Sequence, residues 1–229
     1  MVTLNADARE LQIKVVYYGP ALSGKTTNLQ ALFQRIDPKV RGRLMTIDTK
    51  DDRTLFFDMM PVFFRTATGL KVKLKLYTVP GQVMHESTRR IVLQGTDAVV
   101  FVADGRRSEA APTLAYWNNM LRNLEANALD PRTLPLVIQK NKMDLPDQRD
   151  DDFADLRQAA AAPVIPAVAV RGEGVLETLQ ALLRVVHRDM EARIGLSSRW
   201  GIPEREFLDA IFAHVDVKGS RVQAAGGAP

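Results

Sequence analysis

Residues 19–26, Gly-Pro-Ala-Leu-Ser-Gly-Lys-Thr, decide the fold because they form a complete G-x-x-x-x-G-K-[ST] phosphate loop. The loop directly follows the apolar run at 13–18 and directly precedes a stretch with helical periodicity. In such a strand–loop–helix unit, the backbone N–H groups of the loop converge on phosphate groups, and the helix N-terminus adds a favourable dipole. Lys25 would neutralise the β- and γ-phosphates, and the Thr26 hydroxyl would bind Mg²⁺. The predicted phosphate-binding residues are Gly19, Ala21, Leu22, Ser23, Gly24, Lys25, Thr26 and Thr27.

A second motif, Asn141-Lys142-Met143-Asp144, follows the apolar run at 134–139 and indicates which base is bound. The Asp144 carboxylate can accept hydrogen bonds from both N1–H and the N2 amine of guanine, a pair that adenine does not offer. The wrong base would therefore leave a desolvated charge without a partner. The sequence predicts GTP and GDP as ligands, held through Asn141, Lys142 and Asp144. A third segment, Val168, Ala169 and Val170, is where a backbone N–H would meet guanine O6.

The composition is that of an ordinary globular chain of 229 residues, 46% hydrophobic and 25% charged. No run approaches 18 apolar residues, and the first ten residues lack a signal-peptide core, so we expect a cytoplasmic protein. The chain has no cysteine, which excludes disulfides, a thiol nucleophile and a prenyl or palmitoyl lipid anchor. The net charge of +4 is too small to indicate nucleic-acid binding.

Strand-like and helical segments alternate along the chain, which predicts an α/β fold. We expect a mainly parallel, six-stranded sheet with helices on both faces and the ligand at the carboxyl ends of the strands. The segments 55–64 and 71–78 are joined through Gly69, so they should form a hairpin in which one strand runs antiparallel. The predicted strands are 12–18, 55–64, 71–78, 97–103, 134–140 and 164–170, and the predicted helices are 24–36, 86–94, 109–127, 151–161 and 174–193.

Two residues are candidates for catalysis. Thr-Val-Pro-Gly-Gln at 78–82 follows a strand at the place where a γ-phosphate would lie. Gly81 can present its N–H to that phosphate, and Gln82 can orient the attacking water; the alternative for Gln82 is a solvated turn residue. Arg53 is the second candidate, because a guanidinium stabilises the charge that spreads in phosphoryl transfer. An arginine in the charged loop at 50–53 is commonly solvated, so the pattern alone leaves its role open.

Together, the phosphate loop, the motif at 141–144, Asp-Arg-Thr-Leu-Phe-Phe-Asp at 52–58 and Leu-Tyr-Thr-Val-Pro-Gly-Gln at 76–82 resemble the MglA-like bacterial small GTPases of the Ras superfamily. The resemblance implies a P-loop small GTPase fold and a switch that hydrolyses GTP to GDP and regulates cell polarity or surface motility. It further implies that Arg53 is an arginine finger within the chain and that Thr54 joins the Mg²⁺ ligands. The implied partners are a Roadblock/LC7-type (MglB-like) GTPase-activating protein and polarity or motility effectors, which would recruit the protein to the cell pole or the inner membrane surface.

Two positions depart from the common Ras-like pattern. Thr78 replaces the carboxylate that normally supports Mg²⁺ through water, and Asp58, which stands among large apolar residues, is the predicted substitute. Ala21 stands where Ras-like loops usually have glycine, and its methyl group would crowd Gln82 or an arginine in the transition state. A small misplacement there can cost about 10²-fold in rate. Slow hydrolysis without a partner is therefore expected, and a GTP-binding adaptor or scaffold with negligible turnover is the alternative.

Residues 196–229 are predicted to form an extension that follows a GTPase domain at 1–195. Phe207, Leu208, Ile211, Phe212 and Val215 recur at helical spacing after a helix start near Pro203. This helix could pack on the GTPase domain, bind a partner or a second copy, or lie on a membrane surface, although its balanced charges disfavour a membrane. The composition of residues 224–229 predicts disorder.

Overall fold

A computed structural model describes residues 3–5, 7–47, 57–151, 153–157 and 162–216. Across these residues the chain forms strands β1 (Thr3–Asn5), β2 (Glu10–Tyr18), β3 (Met45–Ile47), β4 (Phe57–Arg65), β5 (Lys71–Thr78), β6 (Ala98–Asp104), β7 (Leu136–Asn141) and β8 (Val164–Pro166). The helices are α1 (Lys25–Arg35), α2 (Glu86–Leu93), α3 (Ala110–Glu125), α4 (Ala154–Arg157), α5 (Val175–Ile194) and α6 (Glu204–Phe212). Within the described residues, none of these helices combines the length and apolarity that crossing a bilayer requires.

The strands form one sheet in the order β3-β4-β5-β2-β6-β7-β8, and β1 pairs antiparallel with β2. Its centre is parallel, because β2 pairs in parallel with both β5 and β6, β6 pairs with β7, and β7 pairs with β8. The predicted α/β fold is therefore confirmed, and so is the antiparallel hairpin, which β4 and β5 form around Gly69.

Three details of the predicted elements were wrong. The described part of the chain has eight strands in the sheet instead of six, because the three-residue strands β1 and β3 are too short to show an alternating pattern. The strand predicted at 164–170 ends at Pro166, and Ala169–Arg171 forms a 3₁₀ turn. The helix predicted at 151–161 begins only at Ala154 and is described to Arg157; residues 152 and 158–161 lie outside the described residues, so its predicted end stays a prediction.

Helices cover both faces of the sheet, which explains why the central strands are continuous apolar runs. Every residue of β6 and β7 is buried. On β2, Ile13, Val15 and Tyr17 enter one core cluster, which also contains apolar residues of α1, α5 and α6. Val16 and Tyr18 point to the opposite face, where the second cluster includes residues of α2, α3 and α4.

The extension after α5 packs against the rest of the described chain. Phe207 of α6 is fully buried, and its ring meets Phe64 of β4 edge to face, with 6.0 Å between the ring centroids. Near the end of the described chain, Val215 forms an antiparallel bridge with Ile36, which directly follows α1. The predicted disordered residues 224–229 lie outside the described residues.

Candidate functional site

The phosphate loop joins β2 to α1, and its shape depends on two glycines. Gly19 has φ 148°, and a Cβ there would lie 2.2 Å from the carbonyl oxygen of Val102. Gly24 has φ 104° and caps α1, and a Cβ there would lie 2.3 Å from Asn141 Nδ2. Only glycine tolerates both the backbone conformation and the close approach. The N-terminus of α1 therefore opens directly onto the loop, with Leu22 88% exposed at its tip.

The Lys25 side chain folds back onto the phosphate loop. Its ammonium donates to the carbonyl oxygens of Gly19 at 3.0 Å and Pro20 at 2.6 Å. The pKa of Lys25 is lowered to about 7, mainly by burial and also by the positive charge of Arg89, while Asp58 opposes the shift. Because anionic groups in the same cavity would favour the charged form, the electrostatics suit a polyphosphate ligand.

Asp58 is the centre of a group of three threonine hydroxyls. Its Oδ2 accepts hydrogen bonds from Thr26 Oγ1 at 2.7 Å and Thr78 Oγ1 at 3.0 Å, and its Oδ1 accepts from Thr46 Oγ1 at 2.9 Å. The backbone N–H of Asp58 donates to Thr78 Oγ1 at 2.9 Å. The predicted substitute carboxylate thus lies directly beside the hydroxyl predicted to bind Mg²⁺.

This arrangement gives a physical reason for threonine at position 78. The Thr78 hydroxyl both donates to the Asp58 carboxylate and accepts from the Asp58 N–H. A carboxylate at position 78 could only accept, and it would place two negative charges about 3 Å apart. One carboxylate and one hydroxyl therefore replace the arrangement that is usual in Ras-like proteins.

The donor set around Thr26 fits Mg²⁺, which prefers oxygen ligands and binds through one or two carboxylates together with substrate phosphates. The described residues contain no group of three or more His, Cys, Asp or Glu side chains that could hold a metal by themselves. A site built from Thr26, Asp58 and phosphate oxygens is consistent with that finding. The third predicted ligand, Thr54, lies outside the described residues.

The segment after β5 lies across the phosphate loop. A Cβ at Gly81 would stand 2.5 Å from Ala21 Cα and 2.9 Å from Lys25 Nζ, so the close approach requires glycine. The atoms nearest to that Cβ position belong to the Ala21 backbone, although Ala21 as a whole is exposed. Gln82 is exposed, and its Oε1 lies 3.1 Å from Nε2 of His85. A cavity of about 430 Å³ between these segments is lined by residues that include Ala21, Leu22, Gly24, Lys25, Thr26, Thr27, Thr46, Asp58, Gly81 and Gln82.

Asn141 connects the predicted base site to the phosphate loop. Its Nδ2 donates to the Ser23 carbonyl at 2.7 Å, and its Oδ1 accepts from the Ala169 N–H at 2.9 Å. The Ser23 hydroxyl is fully buried and has no hydrogen-bond partner within the described part of the chain. Val168 and Ala169 are buried and Val170 is 78% exposed. The three predicted segments therefore meet around one side chain.

The other two residues of the base motif have charged neighbours that the sequence did not reveal. Lys142 has φ 65°, and its Nζ lies 2.7 Å from Oδ2 of the buried Asp104 at the end of β6. The Asp104 pKa is lowered: burial alone would raise it, but hydrogen bonds from Arg106 and Lys142 outweigh that effect. The Asp144 side chain is 18% exposed, and its Oδ2 lies 3.5 Å from the guanidinium of Arg171. Neither Asp104 nor Arg171 belongs to a motif, so no pattern in the sequence signals these contacts.

Arg53, the predicted arginine finger, lies in the segment 48–56 outside the described residues. All the other predicted catalytic and phosphate-binding residues stand at the carboxyl ends of β2 and β5 or at the start of α1. The predicted base residues stand at the ends of β7 and β8. The phosphate loop and the base motif, which are more than a hundred positions apart in the sequence, thus lie together at one edge of the sheet.

Comparison with characterised proteins adds independent information. The mutual gliding-motility protein MglA of Myxococcus xanthus is 39% identical over 194 residues, which cover 83% of this chain and 98% of that protein. The chain belongs to the MglA family of small GTPases. Human Ras-related protein Rab-27B is 25% identical over 185 residues (78% of this chain, 81% of the relative), and the GTPase Obg of Syntrophomonas wolfei is 28% identical over 143 residues (61% and 33%). No family model matches the chain. As an MglA-family protein, it is a GTPase that binds GTP and GDP with Mg²⁺.

Proposed function

We propose that this GTPase is a switch that regulates cell polarity or surface motility, with its catalytic site in the cavity between the phosphate loop and the segment 78–82. The site assignment rests on the hydrogen bond of 2.7 Å between Thr26 Oγ1 and Asp58 Oδ2, which lies beside the buried ammonium of Lys25. The cellular role is inferred from the 39% identity to the Myxococcus gliding-motility protein.

In the proposed mechanism, the phosphate loop and the N-terminus of α1 bind the α- and β-phosphates through backbone N–H groups. Lys25 exchanges the carbonyls of Gly19 and Pro20 for β- and γ-phosphate oxygens. Thr26 and Asp58 would hold Mg²⁺, together with Thr54, which lies outside the described residues. When bound, Mg²⁺ neutralises charge that develops on the phosphate oxygens.

Gln82 orients the attacking water, and the N–H of Gly81 holds the γ-phosphate. Arg53 supplies the positive charge for the transition state. Intrinsic hydrolysis is slow, because Gln82 is exposed and hydrogen-bonded to His85 and needs to be brought onto the γ-phosphate. A Roadblock-type partner accelerates the reaction by repositioning Arg53 and Gln82 and inserts no arginine of its own.

The proposed switch lies in two segments, about 42–62 and 78–90, which would contact the γ-phosphate and Mg²⁺ when these are bound. Their contacts vanish on hydrolysis, so the surface around them differs between the two nucleotide states. Exposed apolar side chains such as Met84 and Ile91 belong to or border the second segment, and effectors would distinguish the states there. Such partners would also determine where in the cell the protein is found.

One experiment tests the mechanism and its partner. Phosphate release from the GTP-loaded full chain is measured under single-turnover conditions, with and without a Roadblock-type protein from the same genome. The partner should accelerate hydrolysis, and Arg53→Ala should remove about 10³-fold or more of the stimulated rate while GDP binding is retained. Gln82→Ala should likewise lose the stimulation and retain GDP, and Gln30→Ala, at an exposed glutamine on α1, is its control.

Full stimulation in Arg53→Ala would show that the arginine comes from elsewhere and would contradict the intrinsic-finger mechanism. The cellular role is tested separately in the native host, where loss of the gene should abolish surface motility or polar organisation. Normal motility and polarity in that strain would contradict the proposed role without affecting the enzymatic assignment.

A further inference from the structure

The loop that carries Gln82 is held by two buried or half-buried side chains from outside it. We propose that Arg89 and Tyr116 are positioning residues for GTP hydrolysis, which hold the main-chain carbonyls of residues 80–82 and thereby place Gln82. This inference rests on the proposed role of Gln82 in orienting water. It adds two residues that belong to none of the sequence motifs and that act through the main chain of residues 80–82.

The contacts cover three consecutive carbonyls. Arg89 NH1 donates to the Gln82 carbonyl at 2.6 Å and makes a longer contact of 3.5 Å with the Pro80 carbonyl. Tyr116 Oη donates to the Gly81 carbonyl at 2.6 Å. Residues 80–82 lie beyond β5, which ends at Thr78, and the Gln82 carbonyl also accepts from the His85 N–H at 3.2 Å. Side-chain donors therefore hold the carbonyls of this segment after strand pairing ends, and the position of the segment determines where Gln82 lies.

Arg89 is itself fixed by a buried polar network. It is 2% exposed, and its Nε donates to Asn119 Oδ1 at 3.0 Å. Asn119 Oδ1 also accepts from Tyr18 OH at 2.6 Å, and Asn119 Nδ2 donates to Glu86 Oε1 at 3.0 Å. The guanidinium lies 5.4 Å from the centre of the Tyr116 ring. The network joins α2 to α3 and β2, so the loop and the start of α2 are tied to two elements that lie outside the proposed switch segments.

The chemistry of the two side chains suits this task. A buried guanidinium is costly unless its N–H groups are bonded, and arginine can direct several donors in a fixed plane to different acceptors. Here the Arg89 guanidinium donates through Nε to Asn119 on α3 and through NH1 to the carbonyls of the loop. The positive charge also lies close enough to Lys25 to lower its pKa, so it adds to the field in the phosphate cavity. Lysine has one nitrogen and could not bridge the same groups.

The geometry predicts which steps depend on the clamp formed by Arg89 and Tyr116. The loop at 80–82 lies close to Ala21 and Lys25, where the proposed mechanism places the γ-phosphate, whereas Asn141 joins the base motif at 141–144 to Ser23. GDP is bound by the base segment, the phosphate loop and α1, which the clamp does not hold. Loss of the clamp should therefore slow hydrolysis and leave GDP affinity unchanged.

The test uses Tyr116→Phe in the full chain, because this change removes one hydroxyl and keeps the ring. We expect single-turnover GTP hydrolysis to fall about three- to tenfold, the effect of one neutral hydrogen bond. The GDP dissociation rate and the melting temperature should match those of the parent. Tyr17→Phe is the matched control, because the Tyr17 hydroxyl is also buried but has no hydrogen-bond partner within the described residues; its hydrolysis rate should be unchanged.

A second pair of variants tests the guanidinium. Arg89→Met should slow hydrolysis by on the order of 10²-fold, and Arg89→Lys should recover only a small part of the rate because it restores charge without the planar donors. Formation of the GDP–aluminium fluoride complex provides a readout apart from turnover. It should weaken in Tyr116→Phe and Arg89→Met while GDP affinity is retained.

Three outcomes decide the matter. A parental rate in Tyr116→Phe, together with slow hydrolysis in Gln82→Ala, would overturn the clamp and leave the role of Gln82 intact. A parental rate in Gln82→Ala would instead refute the proposed function of that residue. If Tyr116→Phe lost GDP affinity in proportion to its rate, the hydroxyl would be a general structural contact and the inference would be wrong.

Discussion

At the scale of single residues, Asp58 and Thr78 show what the sequence can and cannot reveal. The sequence marked Thr78 as a departure from the Ras-like pattern and Asp58 as a carboxylate in need of partners. Thr26 was expected near Asp58, because both were predicted to serve Mg²⁺, but Thr46 could not be predicted as a partner, because it comes from β3 and no motif links it to β4. That the Asp58 carboxylate lies beside Thr78, and so can replace a carboxylate at position 78, is visible only once β4 and β5 are paired.

Asp58→Asn should raise the Mg²⁺ concentration needed for tight GTP binding by on the order of tenfold, because an amide is a poor magnesium ligand. A magnesium-free GDP complex should be almost unaffected. Titration of GTP binding against Mg²⁺ measures the effect, and Asp209→Asn is the control, because the Asp209 side chain on α6 is 72% exposed. An unchanged Mg²⁺ requirement in a folded Asp58→Asn protein would remove Asp58 from the metal site.

Asp144→Asn tests the base site. The amide loses the charge-assisted bonds to N1–H and N2 of guanine, so GDP affinity should fall by on the order of 10²-fold or more. Affinity for xanthosine diphosphate should rise, because the amide can donate to the 2-oxo group. Competition between the two nucleotides measures this exchange; an Asp144→Asn protein that still preferred GDP would place base recognition elsewhere.

At the scale of elements, long periodic segments were predicted well and short ones were not. β2, β4, β5, β6, β7 and α5 have enough residues for a pattern, whereas a three-residue strand such as β3 has none. β8 ends early because the backbone after it bonds elsewhere: the Ala169 N–H donates to Asn141 Oδ1.

A group of fully buried polar side chains was also not predictable. Asn28, Gln139 and Thr178 join α1, β7 and α5 through side-chain hydrogen bonds of 2.7–2.9 Å that no local pattern could indicate.

The packing of α6 gives a prediction at this scale. Phe207→Asp should lower the free energy of unfolding by about 3–5 kcal/mol or more, because it empties the contact with Phe64 and buries a charge. The melting temperature should fall by about 10 °C, while GDP affinity stays unchanged. Ala213→Asp, at an exposed position just after α6, is the matched control.

Truncation before Leu196 should reproduce the loss of stability, since it also removes the buried Leu196 and Ile202. A truncated protein that melted like the full chain but lost a partner or an oligomer would instead make the extension an interaction element. That result would favour the scaffold alternative for this part of the chain.

At the scale of the whole molecule, the position of the site followed from topology. A mainly parallel sheet collects the loops after β2, β5, β7 and β8 at one edge, so motifs far apart in sequence were expected to meet there. The polar network behind residues 80–82 was not predictable, because Arg89 and Tyr116 lie on two different helices whose packing only the fold determines. The sequence thus predicted the residues facing the nucleotide better than those that hold them in place.

The most direct test of the account is Mg²⁺-dependent single-turnover hydrolysis by the full chain, with GTP and ATP compared at equal concentration and with Gln82→Ala alongside. The account predicts one phosphate released per GTP-loaded protein, GDP retained afterwards, no reaction with ATP, and a loss of about 10²-fold in Gln82→Ala. Hydrolysis of ATP at a similar rate, or a parental rate in Gln82→Ala, would contradict it.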